Sequence, residues 1–123
     1  MDTQTIISSY LNKNENFGIN QFSRIFTNMI IFVDNINYNY ILDSRNNHLD
    51  KTYIIIVDKN IFVKNKKKYI EKAININPFD SNKFAWCDYN YIQTYLNEGE
   101  FELKILDNLE NTEIRGGFLI NRR

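Results

Sequence analysis

Two apolar runs, Met29-Ile30-Ile31-Phe32-Val33 and Tyr53-Ile54-Ile55-Ile56-Val57, are the longest in the chain, and an aspartate, Asp34 or Asp58, ends each of them. Five β-branched or aromatic residues in a row suit a strand buried on both faces, and they fall far short of the roughly 20 apolar residues that cross a bilayer. A chain punctuated in this way is expected to build a core from short strands turned by Asp and Asn. With 123 residues, 43% hydrophobic and 15% aromatic, it carries enough apolar surface to offset the entropy of ordering one domain, and residues 1–123 are read as a single globular unit.

Periodicity sets the expected elements. Ile6, Ile7, Tyr10 and Leu11 recur at i, i+1, i+4 and i+5, which predicts a short helix capped by Asp2. Phe22, Ile25, Phe26, Met29 and Ile30 recur at i, i+3, i+4, i+7 and i+8, which predicts a second helix from Asn20 that gives way to a strand near Ile30. Ile36, Tyr38, Tyr40 and Leu42 then alternate at period two, so a hairpin through Asp34-Asn35 is expected, followed by an exposed loop over residues 43–50. Residues 52–57 read as a central strand paired with Ile61-Phe62-Val63. Asn65 opens a helix bearing Tyr69, Ile70, Ala73 and Ile74, with Pro78 beyond its end and a loop over residues 75–87. Asp88 caps a fourth helix carrying Tyr91, Ile92, Tyr95 and Leu96, with Gly99 at its end, and the runs 101–106 and 114–120 form a last hairpin. The expected fold is α+β: a mostly antiparallel sheet of about six strands, about four helices packed on one face, in the order ααββββααββ.

Fifteen basic residues balance fifteen acidic ones, so no global field steers the chain toward nucleic acid or an anionic membrane. Cys87 is the only cysteine, which excludes an intramolecular disulfide and favours a reducing compartment. The amino terminus has neither the basic segment nor the apolar stretch of a secretory leader, and the expected location is the cytoplasm. The many Asn, Ile, Lys and Tyr residues have A/T-rich codons, which points to an A/T-rich genome.

Candidate chemistry is sparse. One Cys and one His, Cys87 and His48, allow a thiolate dyad in principle, but no motif brings them together, and no second His or Cys stands at metal-ligand spacing. Asp34, Asp43, Asp50 and Asp58 fall at expected strand ends, where Asp is a preferred turn residue. Gly116-Gly117 lacks the surroundings of a phosphate loop and reads as a kink or bulge. Asp80 with Glu102-Leu103-Lys104 resembles the Asp…Glu-x-Lys pattern of restriction-endonuclease-like enzymes. That likeness implies Mg²⁺ held by Asp80 and Glu102, with Lys104 beside the attacked phosphate. The expected helix 88–98 interrupts the pattern. Lys64, Lys66, Lys67 and Lys68 form the densest basic cluster, and Arg122-Arg123 adds a basic tail, so the alternative function is nucleic-acid binding or Mg²⁺-dependent nuclease activity.

Nine Phe, eight Tyr and one Trp exceed what the core of such a chain requires, and tyrosine is a favoured interface anchor. The leading expectation is therefore a non-catalytic protein-binding module with no cofactor and no metal. Its candidate partner-binding residues are Tyr38, Tyr40, Asp43, Asp50, Tyr53 and Asp58, the acids mimicking phosphate against a basic partner such as a toxin or nuclease. In length, composition and want of a catalytic signature the chain resembles small bacterial immunity proteins and phage-encoded inhibitors, which implies that it acts by occluding another protein.

Overall fold

The computed structural model describes residues 4–11, 19–58, 66–87, 89, 104–106 and 117–121. Six strands appear among them: β1 (Gln4–Tyr10), β2 (Asn28–Val33), β3 (Thr52–Ile56), β4 (Lys83–Cys87), β5 (Lys104–Leu106) and β6 (Gly117–Asn121). Helices α1 (Tyr38–Ser44) and α2 (Lys66–Ile76) are accompanied by 3-10 segments at Ile19–Arg24, Asn35–Asn37 and Asn46–Lys51. The sheet runs β3-β2-β1-β4-β6-β5.

The strand directions overturn the expected antiparallel α+β fold. β3, β2, β1 and β4 form a wholly parallel block, in which Ile7 pairs with both Ile30 and Trp86, and Ile30 with Tyr53. Antiparallel pairing is confined to β4 with β6, and β5 runs parallel to β6, so these two strands cannot be a simple hairpin. Parallel neighbours require crossovers, and crossovers lay helical segments over the sheet; here both faces are covered, as in α/β architecture.

The alternation of each strand shows this directly. Ile7, Ile30, Phe32, Ile55, Phe84 and Trp86 point to one side and pack with Tyr69, Ile70 and Ala73 of α2. Ile6, Tyr10, Met29, Ile31, Val33, Ala85 and Cys87 point to the other, against Phe22 and Ile25 of the first 3-10 layer and Ile41 of α1. Helices segregated to one face, as expected from sequence, are thus replaced by two cores separated by the sheet.

Several element assignments fail for identifiable reasons. The expected helix at Ile6–Leu11 is the central strand β1, buried along its length. Its polar residues looked like a helix's wet side, yet Thr5 and Ser8 are fully buried because their hydroxyls are satisfied: Thr5 Oγ1 lies 2.5 Å from Ser81 Oγ, and Ser8 donates to the Cys87 carbonyl at 2.7 Å. The expected helix at residues 22–30 is a 3-10 segment leading into β2. The expected strand at residues 36–42 is helical, because the buried positions are Asn37, Ile41 and Ser44, a helical period. Asp34 caps this turn, accepting from the Asn37 amide at 3.1 Å and from Asn37 Nδ2 at 2.6 Å. The expected loop at 43–50 is the end of α1 and a 3-10 segment, and the expected loop at 75–87 contains β4. The expected central strand at 52–57 stands at the end of the strand order among the described residues. The expected strand at 61–63 and helix at 88–98 lie outside the described residues, Tyr89 apart.

Between α2 and β4, Asn77 and Asp80 adopt positive φ, 40° and 51°. Both are residue types that tolerate this region. Asn77 terminates α2 by donating its amide to the Ala73 carbonyl, and its side chain clasps the Ser81 amide and carbonyl at 2.8 and 3.1 Å. This clasp sets the chain's entry into β4.

Candidate functional site

In a sheet of order 3-2-1-4, the place to look first for a ligand is the switch point, beyond the carboxyl ends of β1 and β4. Side chains fill it on the α1 side. Tyr10 and Tyr89 meet edge to face with ring centres 4.9 Å apart, Phe22 lies 5.3 Å from Tyr89 and 6.3 Å from Tyr10, and Tyr10 and Phe22 are buried. Burial, and secondarily Tyr10, pushes the Tyr89 phenol up to about 12, as burial alone does for Tyr69 on the opposite face. The three rings act as packing, closing the crevice with apolar surface.

The residues proposed for chemistry are held apart. Cys87 is buried at the carboxyl end of β4, whereas His48 precedes β3 at the amino end of the parallel block, with β1 and β2 between them. His48 is spent locally: its Nε2 donates to the Ser23 carbonyl at 3.0 Å and its ring meets Phe26 edge to face at 5.0 Å. Asp80 lies before β4, again at the amino end, while Lys104 pairs through Phe118 with Trp86 near the carboxyl end. Asp80 and Lys104 are therefore placed at opposite ends of the sheet; Glu102 lies outside the described residues. Among the described residues no three His, Cys, Asp or Glu side chains gather closely enough to hold a metal, and no helix is long and apolar enough to cross a membrane.

Of the basic cluster, Lys64 lies outside the described residues, and Lys66 begins α2. Lys67 faces Glu71 one turn on, at 3.9 Å, and Lys68 is exposed. A surface pair of this kind contributes little stability, but it offsets one of the positive charges that phosphate would meet.

The candidate partner-binding residues divide between the two sides of the sheet. Tyr38 and Tyr40 stand on α1, the first half-buried against the core on the α1 side of the sheet and the second exposed; Asp43 is exposed one turn further on. Asp50 is exposed in the 3-10 segment that follows, close enough to Arg45 to oppose the lowering of its pKa by burial. Tyr53 alternates with Ile54, which packs on the α1 side, so Tyr53 faces the α2 side of β3. Asp58 is exposed beyond the carboxyl end of β3. Tyr40 and Asp43 come together, and Tyr53 does not join them.

Sequence reasoning missed the apolar outside of the α1 layer. Ile36 is 72% exposed and Phe26 70%, with Leu49 and Tyr40 also exposed, and all four belong to segments lying over the same face of the sheet. Ile36, Tyr40 and Asp43 follow the spacing i, i+4, i+7, so they share one side of the helical turn. The missed signal was Asp34 three residues before Asn37, a capping arrangement that would have converted the period-two pattern into a helix with Ile36 outside.

This layer is rigidly mounted by a residue that sequence reasoning left in a loop. Arg45 is wholly buried, and its guanidinium binds the Phe22 and Ile25 carbonyls at 2.8 and 2.5 Å, Thr52 Oγ1 at 2.8 Å, and the Thr27 and Lys51 carbonyls at 3.3 and 3.4 Å. The Phe22 carbonyl, which also accepts from the Ile25 amide at 3.3 Å, and the Ile25 carbonyl just beyond the first 3-10 segment both face the guanidinium, and a cation at the carboxyl end of a helical segment is favourable. Burial draws the guanidinium down to about 10, opposed by Asp50, which leaves it charged at neutral pH. Comparison with protein-family models, curated proteins and solved structures finds no match to this chain.

Proposed function

We propose that the chain is a protein-binding module that works without turnover, occluding a partner protein that presents a basic surface, in the manner of a small immunity protein or phage-encoded inhibitor. The observation that carries this reading is the exposure of Ile36 and Tyr40 one turn apart on the outside of α1, beside Asp43. Large apolar side chains displayed together mark interaction surfaces, and a rigid mounting lowers the entropy lost on docking. Asp43 is exposed there, Asp34 being buried as the cap, and residues 34–44 contain no Lys, Arg or His, so the complementary partner is basic.

A photo-crosslinking amino acid at Tyr40, introduced into the full chain in cells that express it naturally, is expected to trap one predominant protein. That protein, once purified, should bind the unmodified chain in a calorimetric titration. Tyr40→Ala is expected to weaken binding by about 30-fold, as for an interface anchor, and Asp43→Lys to slow association. A trapped protein that binds Tyr40→Ala and Asp43→Lys as tightly as the parent, or an adduct that proves to be nucleic acid, would remove the proposal.

A further inference from the structure

Phe26 and Leu49 are two exposed apolar side chains of the α1 layer that the binding reading above leaves unused. Phe26 is held in place on several sides. Its ring meets the His48 ring edge to face, His48 is tied through Nε2 to the Ser23 carbonyl, and Lys51 Nζ donates to the Phe26 carbonyl at 3.3 Å. Arg45, the residue that closes α1, binds the carbonyls on either side of Phe26, those of Ile25 and Thr27, together with that of Lys51. Phe26, Leu49 and α1 are therefore displayed by one clamped body, and a surface that engages Tyr40 finds Phe26 already set at a fixed distance.

We infer, resting on that reading, that the partner protein covering Tyr40 and Asp43 also covers Phe26 and Leu49, taking the Phe26 ring into an apolar recess and meeting Lys51 with a carboxylate. Area is the first reason. A specific interface covers about 800 Å² on each partner, and even a wholly exposed aromatic side chain contributes no more than about 250 Å². Ile36, Tyr40 and Asp43, with Tyr40 only 39% exposed, fall well short of that. Phe26, a large ring 70% exposed and fixed by its neighbours, extends the surface at little loss of side-chain entropy, as an aromatic anchor does. Charge is the second reason, and it sets the polarity of the partner. Lys51 and Arg24 are exposed near Phe26, whereas the acid that follows Leu49, Asp50, already acts on the buried Arg45 charge. The surface around Phe26 is thus positive and that around Asp43 negative. The complementary partner is basic opposite Asp43 and acidic opposite Lys51, a two-signed pattern that favours one docking orientation and sets like charges together in the reversed one.

The probe is the protein trapped through Tyr40, titrated calorimetrically against the full chain and its variants. Phe26→Ala is expected to weaken binding about 30-fold, mostly through faster dissociation, and Leu49→Ser about fivefold, each with an unchanged circular dichroism spectrum because both sites are exposed. Lys51→Glu is expected to weaken binding about tenfold, by an amount that shrinks in high salt, whereas a partner basic throughout would bind this variant more tightly. An aromatic photo-crosslinking residue at Phe26 should trap the same protein as one at Tyr40. Phe26→Ala and Leu49→Ser that bind as tightly as the parent, tighter binding of Lys51→Glu, a different protein trapped at Phe26, or Phe26-dependent sedimentation with phosphatidylserine vesicles would each overturn the inference. In all four cases a loss of binding by Tyr40→Ala would leave the binding reading standing; if Tyr40 traps no protein, both fall.

Discussion

Replacing Arg45 with methionine removes a buried side chain that ties together the first 3-10 segment, the third one and the start of β3. Hydrogen bonds to a charged group contribute about 1.5–3 kcal/mol each, so the three short bonds, to the Phe22 and Ile25 carbonyls and Thr52 Oγ1, amount to roughly 5–9 kcal/mol gross. Removing the cation also removes the cost of burying it, several kcal/mol after relaxation. Methionine fills much of the volume but donates nothing, and the Ile25 carbonyl is left in a dry interior. The expected net loss is about 2–4 kcal/mol. The folded pKa of Arg45, about 10, lies below the ordinary value of a guanidinium, so the penalty for burying the charge is constant below about pH 10 and fades only above it. The loss should accordingly be flat across neutral pH. In urea, with a slope of about 1–3 kcal/mol per molar, the unfolding midpoint should fall by roughly 1–2 M at an unchanged slope. Arg45→Lys should cost at least as much, because a compact ammonium cannot reach acceptors arrayed around a planar fork. If both variants unfold within about 0.5 kcal/mol of the parent, the clamp is not what holds this layer.

Two further outcomes follow from the same contacts. Asp34→Ala should cost about 1 kcal/mol and speed exchange of the Asn37 amide, since one carboxylate oxygen accepts from both donors of Asn37; unchanged exchange would refute its role as a cap. Tyr69 and Tyr89 have folded pKa values raised from 10 to about 12, so the stability tied to their neutral forms is intact below pH 10 and is lost as the pH rises from there toward 12. Phenolate absorbance from these two should appear together with unfolding, and early, non-cooperative ionisation of either would contradict its burial.

How much of this was legible beforehand depended on whether a local pattern had one reading. Helix α2 was, since Tyr69, Ile70, Ala73 and Ile74 fit a helical stripe and little else, with lysines outside and Pro78 beyond. The run at 52–57, and that at 29–33 from about Ile30 on, were legible as strands because β-branched residues pack well on a pleated surface. At Thr5-Ile6-Ile7-Ser8-Ser9-Tyr10 the pattern was degenerate: Thr and Ser mean solvent exposure only when nothing inside can bind their hydroxyls, and Ser81 and the Cys87 carbonyl, more than seventy residues away, bind those of Thr5 and Ser8. For the candidate site, Tyr40 and Asp43 were visible as residue types, but their neighbour Ile36 was hidden by the strand reading.

By itself the sequence determined that short apolar runs closed by Asp and Asn would build a sheet core, that the charges balance, and that the one cysteine forms no internal disulfide, because these depend on residue type and near neighbours alone. Only the tertiary structure decided that four strands run parallel, that Thr52–Ile56 stands at the end of the strand order among the described residues, that Arg45 is buried and that Phe26 and Ile36 face outward. Each of these turns on which distant segment lies alongside, and a strand presents the same period-two face to a parallel neighbour, an antiparallel one, or none.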